Sequence, residues 1–269
     1  MAKHKRSKTA ASISGGDRRN SRTTVSGPSE PSASTFRFEL SRVQLPAVRE
    51  RMLSGLMNVD EGLAAAVAEG LGIRQMPEPM PKVLKTDVTP EVTTSAALSL
   101  FAQPGEGGVR TRRIAILVAD GVEGDGLKSL AGQLVAAGAV PRFIGARLGA
   151  VESVDGDPIE IDVPMSAAPS VLFDGIVLPG GERTVQALAA DGRALEFLKD
   201  QYRHCKPMLV LGDATAVLGK AGIPTTLTSG EPDAGVVIGQ LDDSGVSDAF
   251  INALAQHRHF DRETDPPLV

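Results

Sequence analysis

The stretch Met208-Leu-Val-Leu-Gly-Asp213-Ala-Thr215 runs from an apolar strand into a turn, and it puts an aspartate where an α/β enzyme would present a nucleophile. Aspartate can act as a nucleophile or as a general base. Its alternative is an N-cap, in which the carboxylate accepts N–H bonds from the turn that follows and gains from the helix dipole. The N-cap is the favoured reading, because a capped carboxylate is a weak nucleophile. Two other segments carry usable groups. Asp120-Gly-Val-Glu-Gly-Asp-Gly126 holds Asp120 and Glu123, which would form acid/base pairs with Asp213 if the fold brings them together. Crowded carboxylates raise at least one pKa. They also suit a hard cation, but no calcium-loop spacing is present and no metal is expected. Pro179-Gly180-Gly181 offers backbone N–H groups for an oxyanion hole, or simply a tight turn that needs glycine.

The other reactive types are poorly placed. The glycine-rich segment from Asp120 is neither a phosphate loop nor a dinucleotide fingerprint, and its acids repel phosphate, so no nucleotide or other cofactor is expected. Cys205 lies ahead of its strand, at the wrong end for this site, and reads as structural. His257 and His259 are two apart, so on a helix they diverge. His4 and His204 have no identifiable partner.

The elements that must position these groups alternate in kind. Arg113-Ile-Ala-Ile-Leu-Val-Ala119 is a continuous apolar run, as in a parallel strand buried on both faces. Leu127–Ala137 reads as a helix closed by Gly138, and Val140–Gly145 as a strand. A hairpin-like excursion turns at Asp155-Gly156-Asp157. Phe173–Leu178 is a strand, Thr184–Ala190 and Ala194–Cys205 are helices, Pro207–Leu211 is a strand, and Ser247–His257 is a last amphipathic helix. This alternation predicts an α/β, flavodoxin-like open parallel sheet with helices on both faces. In such sheets ligands bind at the carboxyl ends of strands, near the reversal of strand order. Asp120–Gly124, Pro179–Glu182 and Gly212–Thr215 should converge there.

Upstream the chain divides differently. Residues 1–35 hold almost no large apolar residue and are expected to be a disordered basic tail. Residues 36–75 read as a helical segment: Pro46 suits a first turn, Val48, Met52, Leu53 and Leu56 follow at helical spacing, and Asn58 with Glu61 resembles a capping pair. Residues 76–110, rich in Pro, Thr and Gly, read as an extended linker, and 111–262 as the α/β domain.

Composition narrows the function classes. The chain of 269 residues is 42% hydrophobic and 23% charged, as for a soluble globular protein. With eight Phe, one Tyr and no Trp, the core must be built from Ala, Val, Leu and Ile. The net charge of −5 hides a basic head: Lys3, Lys5, Arg6, Lys8, Arg18, Arg19 and Arg22 against Asp17 give +6, leaving −11 for the remainder. An acidic body argues against a nucleic-acid partner. No apolar run is long enough to cross a bilayer, so no membrane partner is expected. The single cysteine excludes internal disulfides and suits a reducing cytoplasm.

Arg113–Gly124, Val177-Leu-Pro-Gly-Gly181 and Pro207–Asp213 resemble the C-terminal domain of large-subunit catalases, which is similar to the PfpI-type, class I glutamine amidotransferase-like superfamily. Upstream, Phe36–Val43, Arg49-Glu-Arg51 and Ala65–Gly72 look like the last helices of a catalase core, and Leu98-Ser-Leu-Phe101 like the end of its linker. The resemblance covers residues 36–260. It implies that Asp213 stands at the position of the PfpI-type cysteine, with Ala214 where a histidine often follows. Asp213, Glu123, Asp120, Gly180 and Gly181 are then a vestigial site with no catalytic residue. It does not extend to haem held by this chain alone: no segment here matches the distal or proximal haem motifs, and the lone tyrosine, Tyr202, falls on a helix of the α/β part. The resemblance points to an accessory domain that supports an oligomer or its stability, with chaperone-like activity in some members. Its expected partner is a second copy or a catalase core chain. The alternatives are a fragment of a haem catalase serving hydrogen peroxide breakdown, and a PfpI-type hydrolase or glyoxalase-like enzyme using Asp213.

Overall fold

The computed structural model describes residues 30–83, 107–243, 245–264 and 267–269. The chain separates into two compact units, Met1–Gly105 and Glu106–Val269.

The described part of the first unit is three helices: α1 (Glu30–Ser41), α2 (Pro46–Leu56) and α3 (Glu61–Gly70). α1 therefore begins inside the stretch expected to be tail, and residues 1–29 lie outside the described residues. Pro46 opens α2, where its missing N–H costs nothing. The expected Asn58/Glu61 pair does not cap α3. Asp60 does, accepting from the Leu63 N–H at 2.8 Å. Asn58 instead donates to the Met80 carbonyl at 2.6 Å, and the Ser54 hydroxyl donates to that of Glu78 at 2.7 Å, so residues 78–80 run along α2. Leu40, Leu53, Leu56, Leu63 and Val67 form this unit's small core. Leu45 and Met52, seven positions apart and so on one side of α2, stay exposed at 67% and 42%.

The second unit is built on β1 (Arg113–Leu117), β2 (Val140–Gly145), β5 (Val163–Pro164), β6 (Gly175–Leu178), β7 (Met208–Leu211) and β8 (Val236–Gly239). They form one parallel sheet in the order β5-β2-β1-β6-β7-β8. The expected excursion is an antiparallel pair, β3 (Gly149–Val151) and β4 (Ile159–Ile161). Side chains of β1 alternate between faces. Ile114 and Ile116 join a core with Leu127, Leu134, Phe250 and Leu254, from helices α4 (Gly124–Ala136) and α8 (Val246–Ala255). Ala115 and Leu117 join the opposite core with Leu188, Phe197, Leu198 and Val217, from α5 (Glu182–Ala190), α6 (Gly192–Arg203) and α7 (Thr215–Ala221). The sheet is thus covered on both faces, as its continuous apolar strands require. Phe250 and Leu254 are completely buried, and each contributes about 1.5–3 kcal/mol.

From β1 the chain adds β2 on one side and β6 on the other. The reversal point lies between β1 and β6, and in sheets of this kind the crevice for ligands lies there, beyond the carboxyl ends of the strands.

Candidate functional site

The three expected segments do follow the carboxyl ends of β1, β6 and β7, but their acids do not act as a group. After β1, the turn is zipped to residues 152–154. The Gly121 N–H donates to the Glu152 carbonyl at 2.7 Å and the Val154 N–H to the Val122 carbonyl at 2.9 Å. Asp120 closes the same zip, its Oδ1 accepting the Glu152 N–H at 2.9 Å. Glu123 holds the N-cap position of α4 and makes no side-chain cap bond. Both side chains are exposed.

Asp213 corrects the N-cap expectation. It lies in a 3-10 turn, Gly212–Ala214, and α7 starts at Thr215 with no side-chain cap. Gly212 holds φ at +56°, the left-handed region open to glycine, and this swings the next residue away from the helix end. The Asp213 carboxylate reaches across to the neighbouring strand's turn, where Oδ1 accepts the Gly181 N–H at 3.0 Å.

That contact also decides the oxyanion-hole reading. Gly181 has φ +108°, and a Cβ there would collide with the Gly121 carbonyl oxygen, so the turn requires glycine. A Cβ on Gly180 would lie 3.1 Å from the Asp213 Oδ1. The Gly181 amide, which would face a developing oxyanion, is filled by the chain's own carboxylate. A negative group held there opposes a second one, so the hole is blocked electrostatically as well as sterically.

No imidazole comes near among the described residues. His204 precedes β7 and His257 follows α8. The His259 N–H donates to the Cys205 carbonyl at 2.8 Å, so all three lie at the amino ends of the strands. Among the described residues no three acidic, histidine or cysteine side chains gather as metal ligands.

Sequence reasoning missed two elements of this architecture. Thr184 is fully buried beneath the crevice, and its hydroxyl donates to the Ala119 carbonyl at 3.0 Å, tying α5 to the end of β1. Its place directly after Gly-Gly-Glu-Arg was the available signal. The second is a polar core at the far end of the sheet. Arg262 donates through Nε to Asp233 Oδ2 at 2.7 Å, through Nη2 to Oδ1 at 2.9 Å and through Nη1 to the Lys206 carbonyl at 2.9 Å. Its guanidinium sits 4.5 Å from the Tyr202 ring centre. Beside it, Lys206 is buried and donates to the Ser170 carbonyl at 3.0 Å. Burial, reinforced by the charge of Arg258, lowers its pKa to about 8. Burial also lowers His257 and His259 and raises Tyr202. These four groups with shifted pKa values lie away from the turns after β1, β6 and β7. Cys205 is buried at this far end, as expected.

Residues 110–264 match the family described as the C-terminal domain found in long catalases, and residues 32–71 match the catalase-related immune-responsive family. Similar curated proteins include the catalase HPII of Pseudomonas putida, 35% identical over 87% of this chain and 31% of that protein. The catalase HPII of Mycobacterium avium is 33% identical over 86% and 33%, and catalase C of Rhizobium meliloti is 32% identical over 88% and 32%. The chain spans about a third of the length of these relatives.

Proposed function

This chain belongs to the family of the C-terminal domain found in long catalases, and from that premise we propose that it is a non-catalytic accessory domain, kept for contacts with a catalase core chain or a second copy of itself. The observation that carries the reading is the Asp213–Gly181 bond. It occupies a backbone donor that hydrolytic chemistry at these turns would use. The assignment to the PfpI-type, glutamine amidotransferase-like superfamily belongs to the same proposal, supported by the sheet order and by the three converging turns. On that assignment Asp213 replaces the cysteine nucleophile. The exposed Leu45 and Met52 side of α2 supports a contact role, since a small helical unit gains by covering such a surface. In this reading the chain supports assembly or stability in a cytoplasmic setting of peroxide breakdown, and a chaperone-like role is compatible with it. No helix among the described residues is long and apolar enough to cross a membrane.

The reading predicts no turnover of small dicarbonyls or peptides by the wild-type chain, and no change on Asp213→Ala. Turnover that disappears in Asp213→Ala would instead establish the hydrolase or glyoxalase-like alternative. A second arm mixes the chain with a catalase haem core and measures heat-induced aggregation of that core. Protection supports an accessory role, and its absence counts against one.

A further inference from the structure

The amino ends of the central strands carry a row of charges that the crevice chemistry does not use. The register of β1 with β6 sets Arg113 beside Asp174, and the Arg113 N–H donates to Asp174 Oδ2 at 2.9 Å. The Ile176 N–H donates to the Pro207 carbonyl at 3.1 Å, which brings Lys206 to the same level on the next strand. The segment after α8 returns here, since His259 binds the Cys205 carbonyl, and it delivers His257 and Arg258. The charged groups acting on His257 are Arg258, Arg112, Asp174 and Lys206. Three are cations and one is a carboxylate. Arg113 is diverted, its guanidinium lying 5.4 Å from the Phe173 ring centre.

Among the described residues, none of Arg112, Arg258 and Lys206 has a carboxylate within ion-pair distance. Arg258 and Arg112 are both partly buried. Among the described residues each has one acceptor, the His257 carbonyl at 2.9 Å for Arg258 and the Gly108 carbonyl at 3.4 Å for Arg112. A guanidinium has five N–H donors, so most make no bond to a described protein group. Half-burying like charges together is unfavourable unless something negative joins them.

We propose that Arg112 and Arg258, backed by the buried Lys206, bind a dianionic oxyanion of the phosphate class. The row's excess of two positive charges matches a dianion. Two guanidiniums supply the planar, forked donors that tetrahedral oxyanions accept. Lys206 acts from beneath as a fixed field, and the exposed His257 ring adds a neutral donor at the rim. The ligand is either free phosphate or the phosphate of a small monoester, which share this chemistry.

The test titrates the intact chain with inorganic phosphate and, separately, with phenyl phosphate, by calorimetry at constant ionic strength set with chloride. Saturable binding of either is expected. Arg258→Gln and Arg112→Gln should each weaken it at least about tenfold, the loss expected for one charge-assisted hydrogen bond. Lys220→Gln, on an exposed turn of α7, should leave it unchanged. Circular dichroism confirms that each variant is folded, and Lys206→Met gives an independent third variant with the same expected loss of at least about tenfold. Tighter binding of phenyl phosphate identifies a monoester, and equal or weaker binding identifies free phosphate. Failure of wild type to bind either probe, or variants that bind as wild type does, overturns the proposal.

Discussion

Replacing Arg262 by methionine should be among the most damaging single changes to the α/β unit. The side chains of Arg262 and Asp233 are both 1% exposed and joined by two hydrogen bonds. In Arg262→Met the Asp233 carboxylate keeps only the Gly235 N–H, at 2.8 Å, and the Lys206 carbonyl loses its Arg262 donor. The cost of leaving such a charge buried and half-satisfied is about 3–5 kcal/mol, a large share of a typical domain's 5–15. For a unit of this size that lowers the melting temperature by roughly 6–20 °C. Tyr202, the chain's only tyrosine in a protein without tryptophan, lies against the guanidinium and reports this unit's unfolding by fluorescence in urea. Removing both charges in Arg262→Met/Asp233→Leu should recover part of the loss, because the buried charge is gone while the Lys206 carbonyl and the Gly235 N–H stay unpaired. A single variant less than about 1 kcal/mol below wild type would refute the reasoning, as would a double variant no better than the single.

Gly181→Ala should cost about 3 kcal/mol or more, read from urea midpoints, because φ +108° and the Gly121 carbonyl both oppose a Cβ. Lys206 sets a pH signature. Its folded pKa, about 8, lies below the usual 10.5, so between these values the unfolded chain holds a proton that the folded chain has released. Stability attributable to this group therefore rises from pH 8 to about 10.5, by about 3 kcal/mol, and is absent at lower pH. Lys206→Met should flatten that rise in pH-dependent denaturation. The purified chain alone should show neither a Soret band nor oxygen evolution from peroxide.

The sheet's centre was readable because β1, β6 and β7 are buried on both faces, which leaves unbroken apolar runs. β8 was not, since an edge strand flanked by glycines and only half-buried resembles a loop. Two-residue β5 carries no pattern of its own. That three turns follow the carboxyl ends of β1, β6 and β7 was legible, but not the bonds within them. Whether Asp213 caps a helix or crosses to Gly181, 32 positions away, depends on the backbone at Gly212 rather than on spacing. Likewise Asp60, not Asn58, has the geometry to cap α3, and the Arg262–Asp233 pair joins residues 29 apart with no local signature.

Sedimentation velocity tests the contact role most directly, with this chain run alone and then with the haem core of a long catalase lacking its own C-terminal domain. The account predicts either a defined oligomer of the chain or its co-sedimentation with Soret absorbance. A chain that stays monomeric and sediments apart from the haem core would contradict it.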